Sequence, residues 1–258
     1  MPPEFIYSLP PAGIFATVLL VAGLAAATMH TIFFLPGLRE LGQHLTLVTP
    51  AILAICGTVF GLSVTFLANS VWNTEDKARA TVNAEARSVA IMENYIEAMT
   101  GPSRNGLYKL LGDYGAAVKE EWPVMAETGA SGKAEQALRS IYDALIKGFA
   151  QGEQNRVVQQ RMLAAMDQLS EARQERLSMA QNVVSPGQWV LVIGLGLLLL
   201  LVAAGAHARS PVSRILALGV LTLAIAITLF VIVQHDRPFS GDAAISPGPI
   251  LWATGAEM

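Results

Sequence analysis

Apolar residues fall in this chain in four long blocks, two on each side of a stretch in which apolar and polar positions alternate with a helical beat. The blocks are PAGIFATVLLVAGLAAATMHTIFFL (about residues 11–35), VTPAILAICGTVFGLSVTFLANSV (48–71), QWVLVIGLGLLLLLVAAGAHA (188–208) and ILALGVLTLAIAITLFVIVQ (215–234). Each reaches the roughly 20 residues that a helix needs to cross a hydrocarbon core about 30 Å thick. The first block lacks the basic n-region and the small-residue cleavage site of a secretory signal, so it reads as a retained span. Short links, PGLRELGQHLTL and RSPVSR, make each pair of spans antiparallel neighbours.

The stretch between the pairs, residues 75–187, reads as a helical insert. Ala78, Val82, Val89, Met92, Ile96 and Met99 recur at the steps of one helix face. Only Pro50 interrupts the helical pattern between Thr49 and Thr100, so the second span is predicted to continue into the insert as one helix. GPSRNG turns the chain. Leu107, Leu110, Leu111, Tyr114 and Val118 mark a second amphipathic helix, ended by EEWP. Ala134, Leu138, Ile141, Leu145 and Phe149 mark a third. A fourth follows QGEQN and carries Met162, Met166, Leu169, Leu177, Ala180 and Val184 inward, with Pro186 and Gly187 as a joint before the third span. Four such stripes can bury one another as a bundle. The predicted fold is therefore all-α: an N-terminal transmembrane hairpin (1–74), the insert, a C-terminal hairpin (188–234) and a tail (235–258).

Composition agrees with the pattern. Only 14% of the 258 residues are charged and 53% are hydrophobic, against about a quarter charged in soluble domains. Residues 75–181 hold 13 of the 17 Lys and Arg and 15 of the 20 Asp and Glu, which leaves the spans almost free of charge. Arg39, Arg209 and Arg214 lie in the two hairpin links, whereas Lys77, Arg79, Arg87, Arg173, Arg176 and Arg237 flank the other side. The positive-inside tendency then favours a cytoplasmic insert and cytoplasmic termini. The net charge of −3 and the lack of a basic block argue against nucleic acid as a partner.

Catalytic signals are poor, and no enzyme, cofactor or metal site is expected. His30, His44, His207 and His235 sit at span boundaries without metal-ligand spacing. The single cysteine, Cys56, reads as an apolar packing residue. ETGASGKA lacks the first glycine and the final Ser or Thr of a phosphate loop, so it reads as a turn. Glu120 and Glu121 read as a solvated helix end.

The second span is the polar one. Its small polar residues divide into two stripes at about 100° per residue. One is Thr49, Cys56, Ser63 and Ser70; the other is Thr58, Gly61, Leu62, Thr65 and Asn69. In hydrocarbon such groups face other helices or water. Both stripes could be helix–helix packing, with Gly57 and Gly61 admitting a close neighbour. Alternatively, one packs and the other lines an aqueous path ringed by copies of the span, with Leu62 and Phe66 as a narrow apolar constriction.

The tail, HDRPFSGDAAISPGP, is dense in proline, glycine and charge. Its Asp236, Arg237, Pro238, Phe239, Ser240 and Gly241, followed by Ser246 and Pro247, resemble the C-terminal signature of a bacterial membrane family termed bestrophin-like. The resemblance extends over the span pair, the insert with its EEWP, the second span pair and the tail. It implies a bestrophin-like topology in a multi-pass protein of the bacterial inner membrane. It also implies a homo-oligomeric, pentameric channel, passing small inorganic anions or weakly selective, with the second span around the pore. TVFGL is similar to the bestrophin neck. Aligned on Gly61, the neck positions fall on Ala54, Thr58 and Leu62, of which only Leu62 is bulky. The acidic calcium-binding run of animal bestrophins has no counterpart. The pore-lining candidates are Thr58, Gly61, Leu62, Thr65, Phe66 and Asn69. The tail is expected to run extended along the bundle, with Pro238 stopping the last span, Arg237 pairing with a carboxylate and Phe239 wedged between helices. In the other reading Arg237 attracts anions at the inner mouth of a pore. A non-conducting scaffold or sensor, with the insert as its binding domain, is the rival function.

Overall fold

The computed structural model describes residues 4–33, 49–99, 103–150, 156–181 and 184–256. After a short 3-10 turn at Glu4–Ser8 come nine α-helices among the described residues. They are α1 (Pro11–Ile32), α2 (Thr49–Glu97), α3 (Ser103–Glu121), α4 (Met125–Thr128), α5 (Gly132–Ala150), α6 (Arg156–Gln181), α7 (Pro186–Ala206), α8 (Pro211–His235) and α9 (Gly248–Ala253). No strand occurs among them. Four helices are long and apolar enough to cross a membrane, and they are the four expected from the sequence. The first hairpin link, with Arg39 and His44, and the segment QGEQN lie outside the described residues.

The helix boundaries follow local chemistry. Pro11, Pro186 and Pro211 each open a helix at the position where a missing N–H costs nothing. Ser185 and Gln188 form a capping box at the start of α7, and the Ser210 side chain accepts from the Ser213 N–H at the start of α8. α2 runs unbroken for 49 residues. α8 ends at His235, ahead of Pro238.

The chain divides into two compact units. Residues 1–73 and 183–236 form one, and residues 74–182 and 237–258 form the other. In the first, α1, α7 and α8 pack against one another. Phe15 meets Phe230 edge-on at 5.5 Å. Leu67, Val71, Trp189, Val192, Ile232 and Val233 share one cluster, and Phe33, Leu200, Ala203 and Leu218 share another. Such burial, worth about 25 cal/mol per Å² of apolar surface in water, acts in a bilayer chiefly as close packing.

In the second unit the apolar stripes of the insert meet as expected. Ala78, Val82, Val89, Met92, Ile96 and Met99 are all buried, as are Leu107, Leu111, Tyr114, Val118, Ile141, Leu145, Met162 and Leu169. Two expectations fail here. Glu121 is fully buried rather than solvated; only Glu120 is on the surface, paired with Lys133. Residues 248–253 of the tail are helical rather than extended, because Pro247 takes the N-cap and Pro249 the first turn, where proline favours a helix. The tail lies against α3. ETGASGKA is neither a plain turn nor a phosphate cradle: Glu127 and Thr128 end α4, and Lys133 is already within α5.

Candidate functional site

Within the first unit, α2 buries one narrow stripe and leaves the rest open. Val64, Leu67 and Val71 are buried and Phe60 is half-buried against them. The candidates Thr58, Gly61, Leu62, Thr65, Phe66 and Asn69 are all exposed, with Leu62 at 54% and Phe66 at 71%. Cys56 and Ser63, from the other polar stripe, are half-buried, whereas Ser70 is exposed. The two stripes therefore differ in surroundings, and the one holding Thr58 to Asn69 meets no other helix among the described residues.

The polar groups on this open face are not equivalent. Thr58 and Thr65 donate their hydroxyls to the carbonyls of Ala54 and Gly61, one turn back, at 2.9 and 2.8 Å. Both are satisfied within the helix and would tolerate lipid. Asn69 has no partner among the described residues, and an amide that finds none in hydrocarbon costs several kcal/mol on the order of. It is Asn69, more than the threonines, that disfavours acyl chains against this face. An apolar cleft of about 250 Å³ lies elsewhere, between α1, α7 and α8, lined by Val21, Ala22, Trp189, Val192, Gly196 and Ile225. No residue of α2 reaches it, so it has no bearing on a path along that helix.

At the far end of the same unit, His30 accepts from the Nε–H of buried Arg214 at 3.2 Å, and the Arg214 guanidinium lies 6.0 Å from the Phe33 ring centre. His207 bonds the Ala203 carbonyl, one turn back. Among the described residues no group of three or more His, Cys, Asp or Glu is placed to hold a metal.

The tail signature begins at the end of α8. Asp236 is buried at the end of α8, where its carboxylate accepts from the Tyr7 hydroxyl at 2.5 Å and from the Val184 N–H at 3.2 Å. In the second unit, residues 237–245 form a closed loop. The Ile245 N–H donates to the Pro238 carbonyl at 2.8 Å, and Gly241 turns the chain with a φ of +82°, where a side chain would be strained. This loop presents two groups to Trp122, the tryptophan of EEWP. The Phe239 ring stands edge-on to the indole at 5.6 Å, and the Ile245 carbonyl accepts its N–H at 2.9 Å.

Behind Trp122 lies a buried charge network that sequence reasoning missed. The Arg176 guanidinium sits 4.9 Å over the indole. Its Nε and Nη2 grip both oxygens of Glu85 at 2.7 and 3.2 Å, and Nη2 also reaches Glu121 at 3.1 Å. Arg173 binds the other oxygen of Glu121 at 2.8 Å and reaches Glu135 at 3.0 Å. The Tyr114 hydroxyl completes Glu85 at 2.6 Å, and the Ser131 N–H completes Glu121. Arg176, Glu85 and Glu121 are wholly buried. Burial and the neighbouring Glu85 charge push the Tyr114 phenol well above its ordinary range. For Arg176, burial alone would favour the neutral form, but Glu85 outweighs it and the guanidinium is held more firmly protonated than usual. The signal was present in the sequence only as charged residues at helix positions due to be buried, Glu85 and Arg176 among them.

An all-helical chain with four membrane-length helices and a helical insert between the pairs is an integral membrane protein. A bestrophin-like domain is matched over residues 18–250, and the chain belongs to the bestrophin-like family. Its fold is that of solved bacterial proteins. The bestrophin homologue from Klebsiella pneumoniae superposes with a TM-score of 0.69 at 12% identity, over 93% of this chain and 98% of that one. A single-substitution variant of it gives 0.72 at 9% identity, over 94% and 98%. A further crystal structure, of a membrane protein, gives 0.73 at 11% identity, over 93% and 98%. No match was found among curated proteins.

Proposed function

We propose that this protein is a homo-oligomeric ion channel in which copies of α2 surround the conducting path. The observation that carries this reading is the exposed face of α2, where Thr58, Gly61, Leu62, Thr65, Phe66 and Asn69 meet no helix of their own protomer among the described residues. Membership of the bestrophin-like family supports it, and five copies is the assembly that the resemblance implies. Leu62 and Phe66 form an apolar constriction that conducts when hydrated and closes by dewetting. Asn69 hydrates the wider end. No charge stands on this stretch of α2, so selectivity follows hydration cost. It is weak, or favours large, weakly hydrated anions. The insert and termini face the cytoplasm of a bacterial inner membrane.

The test is reconstitution of the purified protein in planar bilayers. Currents are expected, and Leu62→Ala or Phe66→Ala is expected to widen the constriction and raise conductance or lengthen openings. Well-folded oligomer that stays silent under both polarities and in several salts would overturn the reading in favour of a non-conducting scaffold.

A further inference from the structure

We infer that the C-terminal tail is a latch on α2: its loop and α9, seated on Trp122 and α3, keep the Arg176 guanidinium on Glu85 and so fix where α2 stands. The seat is built by close fit. Gly115, buried in the middle of α3, faces Thr254 at the end of α9. A methyl group at Gly115 would overlap the Thr254 Oγ1 and come within 2.7 Å of its Cβ. Glycine weakens a helix interior relative to alanine, and here the missing side chain is what admits the tail. In the loop ahead of α9, the Phe239 ring and the Ile245 carbonyl hold the Trp122 indole, the first edge-on to its ring and the second at its N–H.

Trp122 then acts on the charge network. Its ring covers one face of the Arg176 guanidinium, while the edge of that guanidinium is spent on Glu85 and Glu121. Glu85 belongs to α2. It is wholly buried, and its carboxylate is shared between Arg176 on α6 and Tyr114 on α3. A desolvated, two-point grip of this kind tolerates little displacement, because water entering from the Trp122 side would solvate the ions separately. Releasing the tail exposes the indole, wets Arg176 and loosens its buried charged hold on α2. Trp122 and Arg176 are positioning residues in this scheme. The sequence of contacts is tail, Trp122, Arg176, Glu85.

The consequence for currents rests on the channel reading, but the latch itself is testable without it. In a Cys56→Ser background, Ser88→Cys places a single thiol on α2, three residues after Glu85, at a position that is 3% exposed. Its reaction with a water-soluble maleimide in the full-length protein reports the hold on α2. Gly115→Ala is expected to raise the rate about tenfold. The Ala256 Cβ would stand 3.0 Å from the same methyl, so adding Thr254→Gly together with Ala256→Gly, which removes both obstructing side chains, is expected to return the rate to that of the parent. If Gly115→Ala leaves the rate unchanged, the tail does not hold α2 and the inference falls. It falls also if the rate rises but the Thr254→Gly and Ala256→Gly pair does not restore it, because the glycine then serves α3 alone. Bilayer recordings of the same variants separate the two claims. Thiol reactivity that follows the tail in a protein that never conducts removes the channel and leaves the latch. Currents in a protein whose thiol ignores the tail do the reverse.

Discussion

Arg176 is the residue on which the insert converges. Its guanidinium answers two buried carboxylates from two helices and is roofed by an indole, so its loss leaves Glu85 without a counter-charge, and Glu121 with Arg173 alone, in a site that excludes water. Arg176→Ala is expected to cost about 3–5 kcal/mol. Thermal unfolding in detergent reads this as a large drop in midpoint, and an unchanged midpoint would contradict it. Arg176→Lys is expected to recover only part, because an ammonium cannot reproduce the two-point grip on Glu85. Tyr114 carries a pH dependence of definite sign. Its folded pKa lies above the unfolded value of about 10, so folding favours the protonated phenol. That contribution is intact below pH ~10 and is lost as pH climbs through the folded value. Tyr114→Phe is expected to lower stability at neutral pH by about 1.5–3 kcal/mol, through the lost bond to Glu85, and to flatten the alkaline limb of the stability profile. An alkaline limb equally steep in both proteins would show that another group sets it.

At the scale of elements, α2 separates packing from presentation within two adjacent residues. Leu67 is 2% exposed in the cluster with Val71 and Trp189, whereas Phe66 is 71% exposed. Leu67→Ala is expected to destabilise the detergent-solubilised protein by about 2–5 kcal/mol. Phe66→Ala is expected to shift stability by no more than about 0.5 kcal/mol while changing conduction. The reverse order would mean that Phe66 is a packing residue and the path lies elsewhere. Much of this helix could be read from the sequence, because a buried stripe repeats at the helical period and nothing after Pro50 interrupts it. The insert's apolar stripes were legible for the same reason. What escaped was set by distant partners. Glu121 looks like a surface residue beside Glu120, and only Arg173 and Arg176, more than 50 residues on, make it a buried one. The tail escaped for a local reason. Pro247 and Pro249 suggest an extended course, yet both are compatible with the first turn of a helix, and the Gly115 seat that selects the helix lies on another element. Arg237 was expected to pair with a carboxylate; one of the candidates, Asp236, accepts from Tyr7 and Val184.

For the whole molecule, the decisive quantity is the distribution of charge about four crossings. Four crossings would return the chain to the side on which it began, so the insert and the tail would share one side and the α7–α8 link would lie on the other. The link carries Arg209 and Arg214, but Arg214 is buried and bonded to His30, which leaves Arg209 as the exposed cation there. Near the other boundary, Lys77, Arg79 and Arg87 are all exposed. The retention of positive charge in the cytoplasm therefore favours an inward insert, although a domain of this length weakens the rule. Two single-thiol proteins in the Cys56→Ser background decide it. Ser213→Cys, exposed in the first turn of α8 beside the link, is expected to react with a membrane-impermeant maleimide added to intact cells. Gln136→Cys, exposed on α5, is expected to react only after the membrane is opened. The opposite pattern would invert the protein and place Asn69 nearer the outer end of the path than Leu62. Labelling of both thiols from the same side would remove the four-crossing topology, and with it the argument that α2 has water to face.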